Sequence, residues 1–210
     1  MTELRRLRRA GTSAVRLLVD LLPDEWDPRS GTEDICVVFA DISGYSDFVA
    51  EGGDDAAMAA LSILNRQVAA VIDEHRGVRV VKRLGDGVMI VTRRSPDALD
   101  TATTLVAEFD RAAVAHGWPV RLRAGAHRGT TRRHADDYFG YHVNLAARIT
   151  EAAIGSQVLV TAHALAGVDL PALGLTARPA GELAAKGVSG PVDLFEVQRL
   201  DAVDDRRLVG

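Results

Sequence analysis

Two aspartates stand where strand-like runs end. Asp41 directly follows the apolar run Ile35 to Ala40 (ICVVFA). Asp86 falls in Arg83-Leu84-Gly85-Asp86-Gly87, a turn-rich hairpin between the strand-like runs Val78 to Lys82 and Val88 to Thr92. If a helix joins the first two strands they run parallel, and both end on the same edge of the sheet. The carboxylates then meet although 45 residues separate them. Carboxylates that close repel each other unless a cation lies between them. A hard divalent ion takes one or two protein carboxylates and completes its shell with phosphate oxygens. Taken singly, Asp41 reads equally as a loop cap and Asp86 as a turn residue.

Two further segments carry polar chemistry. Asp41-Ile42-Ser43-Gly44-Tyr45-Ser46 leads from a strand towards a helix, with Gly44 permitting close backbone approach and the turn's amides offering an anion site. It is no P-loop, since G-x-x-x-x-G-K-[ST] occurs nowhere, and no second aspartate follows Asp41 as an aspartyl-phosphate enzyme requires. In the segment Asp137 to Arg148, Asn144 and Arg148 are four apart and share a helix face, with Leu145, Ile149 and Ala152 as a neighbouring apolar stripe. Such a pair suits a sugar oxygen and a phosphate oxygen. On its own it is also compatible with a solvated polar face.

The elements that must position these residues follow from hydrophobic spacing. A helix is expected over about Asp54 to His75, with Met58, Leu61, Leu64, Val68, Val71 and Ile72 as its buried stripe and Gly77 closing it. Pro96 opens a second helix that ends near His116-Gly117. Val120 to His127 reads as a strand, followed by a polar loop, a helix from Val143 to Ala153, a strand at Gln157 to Val160, and late strands near Leu175 and Leu194. The order is β-α-β-β-α-β, a ferredoxin-like α+β domain with extra C-terminal strands. Residues 1–33 form an expected helical appendage, in which Ser13 caps a short helix that Pro23 stops; it packs on the domain, on a partner chain or on a membrane surface. The domain is expected over 34–198, with 199–210 a polar tail.

Composition narrows the function classes. Of 210 residues, 47% are apolar and 26% charged, which suits one soluble globular domain. Net charge −4 gives no global field that draws nucleic acid. The single cysteine, Cys36, excludes an intrachain disulfide and points to a reducing, cytoplasmic compartment. The least-charged stretch, Ala152 to Val168, is too polar to span a membrane. Among 25 basic residues only Lys82 and Lys186 are lysines. An arginine-rich coding bias explains the rest, and a lysine retained against it marks a place for a compact point donor.

Val37-Val-Phe-Ala-Asp-Ile-Ser-Gly-Tyr-Ser46, Val81-Lys-Arg-Leu-Gly-Asp-Gly87 and Asp137-Tyr-Phe-Gly-x-x-Val-Asn-Leu-Ala-Ala-Arg148 resemble, in order and separation, the three signature blocks of class III nucleotidyl cyclases. Lys186-Gly-Val-Ser-Gly-Pro191 is similar to that family's C-terminal block, and the resemblance covers roughly 34–198. It implies that Asp41, Asp86 and the carbonyl of Ile42 hold two divalent cations, Mg²⁺ or Mn²⁺. It further implies that Lys82 and Asp137 recognise adenine, Asn144 orients the ribose, and Arg148 stabilises the transition state. Gly44, Tyr45 and Ser46 fall in the triphosphate loop, and Lys186 matches a phosphate-contacting lysine. The implied protein is an adenylate cyclase that turns ATP into 3′,5′-cyclic AMP and pyrophosphate at sites shared across a homodimer. Tyr45 and Ser46 depart from the commoner phenylalanine and threonine. The short loop Gly129 to Asp136 suggests a trimmed dimerisation arm, and His142 reads as an exposed histidine or one that tunes a pH response.

A cyclase-like module that binds nucleotide or a partner without turnover should have lost metal or transition-state residues, whereas here those positions are filled. A diguanylate cyclase needs a Gly-Gly-[Asp/Glu]-Glu-Phe hairpin, and this hairpin reads Leu-Gly-Asp-Gly-Val. A guanylate cyclase would need an acceptor in place of Lys82.

Overall fold

The computed structural model describes residues 30–74, 77–184 and 190–200. Its elements are β1 (Gly31–Ser43), α1 (Tyr45–Glu74), β2 (Val78–Leu84), β3 (Gly87–Thr92), α2 (Ser95–Ala115), β4 (Arg121–His134), β5 (Asp137–Phe139), α3 (Tyr141–Ala152), β6 (Val158–Thr161), α4 (Ala162–Leu165), a 3₁₀ turn at Pro171–Leu173, β7 (Leu175–Leu183) and β8 (Val192–Arg199). The strands make one sheet in the order β2-β3-β1-β4-β6-β8-β7, with β5 pairing β4. Its first half is the expected ferredoxin-like unit. Because β3 lies antiparallel between β1 and β2, those two strands are parallel.

Burial explains the layering. Cys36, Val38, Ala40 and Ile42 of β1 point under α1 and α2, whereas Ile35 and Val37 point to the opposite face, beneath Tyr138, Val143 and Ala146. Both faces of the central strands are therefore covered, and all six residues of β3 are buried. Such strands read as continuous apolar runs rather than alternating ones. Cys36 is fully buried in the middle strand, and desolvation pushes its thiol up to about 12.

Several boundaries differ from expectation. β1 begins at Gly31 and runs through Asp41 to Ser43, so residues 31–33 belong to the sheet and Asp41 lies within a strand. α1 starts at Tyr45, and Gly53 (φ 80, ψ 169) kinks it one residue before the expected start. Its buried stripe is Ala57, Ala60, Leu64, Val68 and Val71, while Met58 is 61% exposed. The helix turns its small alanines to the core, which rotates Met58 outward. The expected polar loop after His127 is instead the continuation of β4, folded back on β5 through Ala135-Asp136. Residues 1–29 and 201–210, which hold the expected appendage and most of the tail, lie outside the described residues, as does Lys186. Among the described residues α1 alone is long and apolar enough to cross a membrane by length and composition, with a window of mean hydropathy 1.2, and its apolar stripe also packs on the sheet.

Candidate active site

Asp41 and Asp86 come together at one end of the sheet, and backbone contacts fix them there. The Ile42 amide donates to the Asp86 carbonyl at 3.3 Å, tying the β2–β3 turn to β1. Gly87 pairs with Asp41, and a Cβ on Gly87 would lie 3.0 Å from the Ala40 carbonyl oxygen and 3.1 Å from the Asp41 Cβ. Glycine is what lets the hairpin approach this closely. The two aspartates, Gly87, Ala147, Thr150 and Glu151 line a cleft of about 150 Å³.

One cation in the cleft belongs to the protein and was missed in the sequence. Arg123 of β4 donates from Nε to Asp41 Oδ1 at 2.6 Å and from Nη2 to Oδ2 at 3.1 Å, and its Nη1 reaches the Glu151 and Ala153 carbonyls at 3.2 and 3.1 Å. Asp86 has no such partner. Burial pushes its carboxyl above the ordinary value, and the Asp41 charge adds to the rise, while its own backbone hydrogen bond and Arg123 oppose it. The cleft thus has an oxygen-only donor set in which one carboxylate is short of positive charge, which suits a hard cation. Among the described residues no cluster of three or more His, Cys, Asp or Glu side chains could hold a metal on its own. Two carboxylates are what an ion arriving with phosphate oxygens requires.

The loop into α1 lies beside the cleft. Gly44 (φ +79) turns the chain from β1 into the helix, and its carbonyl accepts the first helical hydrogen bond from Phe48 at 3.0 Å. The amides of Tyr45, Ser46 and Asp47 precede that bond and have no intrahelical acceptor, so an anion can use them. The Tyr45 hydroxyl is shifted upward, chiefly by burial and then by Asp86 and Asp54.

Lys82 and Asp137 form a separate pair. Lys82 Nζ donates to Asp137 Oδ2 at 2.7 Å and to Oδ1 at 3.0 Å, and lies 5.6 Å from the exposed Phe139 ring. A β-bulge aims the lysine. Pairing runs from Val80↔Ile90 to Lys82↔Met89, and Val81 is skipped. Without that extra residue Lys82 would share the face of Val80, which packs in the core beneath α1 and α2. With it, Lys82 joins Val81 on the side of Tyr138 and Asp137.

α3 presents Asn144 and Arg148 on its exposed side, with Arg148 Nη1 on Glu151 at 2.5 Å. The helix is seated closely on β4. A Cβ at Gly125 would fall 2.4 Å from the Thr150 amide nitrogen, and one at Gly129 would fall 2.3 Å from His142 Nδ1. His142 is accordingly half-buried rather than exposed. His127 Nε2 and His142 Nδ1 are 2.8 Å apart, and His127 Nδ1 lies 2.8 Å from Thr161 Oγ1, with His163 against the other ring edge. Burial above all, with His142 and His163 adding, lowers His127 to about 4.

The structure therefore unites Asp41, Ile42, Asp86 and the Gly44–Ser46 loop with Arg123, and separately unites Lys82 with Asp137. Among the described residues no hydrogen bond or ion pair joins the two groups. Residues 28–197, which carry both groups, match the family model of the adenylate and guanylate cyclase catalytic domain. The chain belongs to that family. The cyclase domain is 32% identical over 176 residues to the pH-sensitive adenylate cyclase of Mycobacterium tuberculosis, covering 82% of this chain but 42% of that protein. Its fold superposes on an adenylate cyclase from Trypanosoma brucei in the monomeric state at TM-score 0.68, with 25% identity, 83% of this chain and 92% of that one covered. The catalytic core of a rhodopsin-guanylyl cyclase with converted specificity, in complex with ATPαS, gives TM-score 0.69 with 20% identity and coverage of 81% and 98%.

Proposed function

We propose that this cyclase domain converts ATP to 3′,5′-cyclic AMP and pyrophosphate, working as a homodimer with Mg²⁺ or Mn²⁺ in the cytoplasm, where both substrate and cation are supplied. The observation that carries the choice of ATP is the Lys82–Asp137 pair, a donor beside an acceptor next to an exposed aromatic ring. Adenine offers an acceptor nitrogen beside a donor amine, whereas guanine presents a donor where adenine accepts. A compact ammonium fits a ring nitrogen better than a planar guanidinium does.

In the reaction the ribose 3′-oxygen forms a bond to the α-phosphorus, the bond to pyrophosphate breaks, and the hydroxyl proton leaves. Asp41 and Asp86 would hold divalent cations, with the Ile42 carbonyl alongside. Bound there, such ions lower the pKa of the attacking hydroxyl and neutralise phosphate charge. The α1 amides at Tyr45 and Ser46 hold the outer phosphates, and Lys186 contacts phosphate from the C-terminal block. Asn144 orients the ribose, and Arg148, released from Glu151, meets the charge that grows on the transferring phosphoryl group. The carboxylate cleft and the base-reading pair of one chain do not touch one another, which supports a two-fold dimer whose sites draw one group from each chain.

A second reading is a nucleotide-binding module without turnover. The pairing of Asp41 with Arg123 and of Arg148 with Glu151 favours it, since both charged groups already have partners. Incubating the purified chain with ATP or GTP and either cation, then measuring cyclic product, decides between them. Cyclic AMP from ATP is expected. Nucleotide binding without product would establish the module, and preferential cyclic GMP would overturn the assignment of the base.

A further inference from the structure

At the far end of the β2–β3 hairpin from Asp86 a second pocket of about 440 Å³ opens between the start of β2, the end of β3 and the β4–β5 hairpin. That volume lies within the range of small-molecule sites, roughly 300–1,000 Å³. Three guanidiniums line it, those of Arg79, Arg93 and Arg133, against one carboxylate, Glu33. Asp97 adds a second carboxylate near the rim, 3.0 Å from where a Gly77 Cβ would sit, and the pocket remains cationic.

The internal partners leave donors over. Arg79 Nη2 donates to the Tyr138 hydroxyl at 2.7 Å, that hydroxyl donates to Glu33 Oε2 at 3.0 Å, and Arg133 Nη1 reaches Glu33 Oε1 at 3.2 Å. Glu33 is thus shared among the groups around it. Arg133 Nε, in contrast, is buried with no hydrogen-bond partner. A buried donor without an acceptor costs free energy, and the side-on pair of Nε and Nη donors is the edge with which arginine takes an oxyanion. Arg79 is held over the Tyr138 ring at 5.2 Å, so its fork is oriented before any ligand arrives.

We propose that this pocket is a binding site for a phosphate-bearing anion, separate from the nucleotide site. Arg93 and Arg133 supply the first contacts, and Arg79 closes the third side. The charge, the unused donor and the size all favour a small organic phosphate over a lone halide, which cannot bridge several guanidiniums.

The test needs neither turnover nor a cation. The full chain, free of nucleotide and divalent ions, is titrated with inorganic phosphate at constant ionic strength and pH 7, and the heat of binding is recorded. Saturable binding is expected, about tenfold weaker in Arg93→Gln and in Arg79→Gln, with Arg93→Lys in between and the melting temperature of Arg93→Gln unchanged. Arg148→Ala, altered in the nucleotide site, should bind phosphate as the wild type does. Absence of saturable binding would overturn the proposal. So would equal affinity in wild type and Arg93→Gln, or a loss confined to Arg148→Ala, which would place phosphate in the nucleotide site.

Discussion

Arg123 grips both carboxylate oxygens of Asp41, Nε on Oδ1 and Nη2 on Oδ2. Each oxygen keeps a second lone-pair direction, so an arriving cation can share Asp41 with the arginine instead of displacing it. The pair is partly exposed, and its worth to stability is small, about 1 kcal/mol or less. Its worth to the site is placement, because the two-point contact favours the carboxylate orientation that faces the cleft.

Asp41→Asn and Asp86→Asn should each lower cyclic product formation by about a hundredfold or more, since each removes a charge that holds a cation at the reacting phosphate. Melting temperatures should change little. Near-normal turnover in either variant would remove that aspartate from the chemistry.

Exchanging Lys82 for Glu together with Asp137 for Cys reverses the donor and acceptor order facing the purine. Discrimination should move towards GTP by about one to two orders of magnitude, the scale set by an unmatched buried polar group. The ratio of cyclic GMP to cyclic AMP formed in competition measures it, and an unchanged ratio would show that the pair does not read the base.

Gly129→Ala places a methyl where the His142 ring lies, at 2.3–2.7 Å from three ring atoms. The ring must leave, and with it the bond to His127 at the start of the helix that carries Asn144 and Arg148. A lower melting temperature and a reduced kcat are expected. Adding His142→Ala should restore part of the stability by making room; no recovery in the double variant would place the strain elsewhere.

Stability should fall on acidification. His127 titrates near 4 in the fold and near 6.5 when unfolded, so the unfolded chain binds the proton more readily. Above about pH 6.5 the ring is neutral in both states and costs nothing, and between there and about pH 4 the unfolded state takes up the proton first, lowering stability by roughly 3 kcal/mol in all. Urea melts of wild type and His127→Gln across that window provide the check. Parallel pH slopes would show that His127 is not the group responsible.

Mixing Asp41→Asn with Arg148→Ala tests the shared site. In a two-fold heterodimer one site carries both lesions and the other none, so if half the dimers are mixed about one quarter of all sites are intact. Activity should return to about that fraction. A mixture that exchanges subunits yet stays inactive would mean that each site is built within one chain.

The succession of elements along the chain and the two long helices were legible because apolar periodicity reports burial, and the meeting of Asp41 with Asp86 followed from the parallel βαβ unit they imply. Pairing without burial was not legible. The ends of β1 and β4 are polar because they pair with each other at the rim, Gly31 with Arg133 and Thr32 with Arg132, so they read as linker and loop. The bulge at Val81 left no trace, since one skipped residue changes a side chain's face without changing composition. Arg123 stood in an alternating strand as an outward residue like any other; only the register Asp41↔Arg123 makes it part of the cleft. His127 and His142 lie 15 residues apart on different elements, and Gly129 was the one local sign that something bulky needed room.

Cys36 turns the central strand into its own clock. It is the chain's single thiol, is wholly enclosed between β3 and β4, and is held protonated to about 12. A thiol reagent at neutral pH can therefore react only during excursions that part β1 from its neighbours. The labelling rate of the unmodified protein reads the frequency of those excursions directly, and ligands that tighten the sheet will be seen as a slower clock.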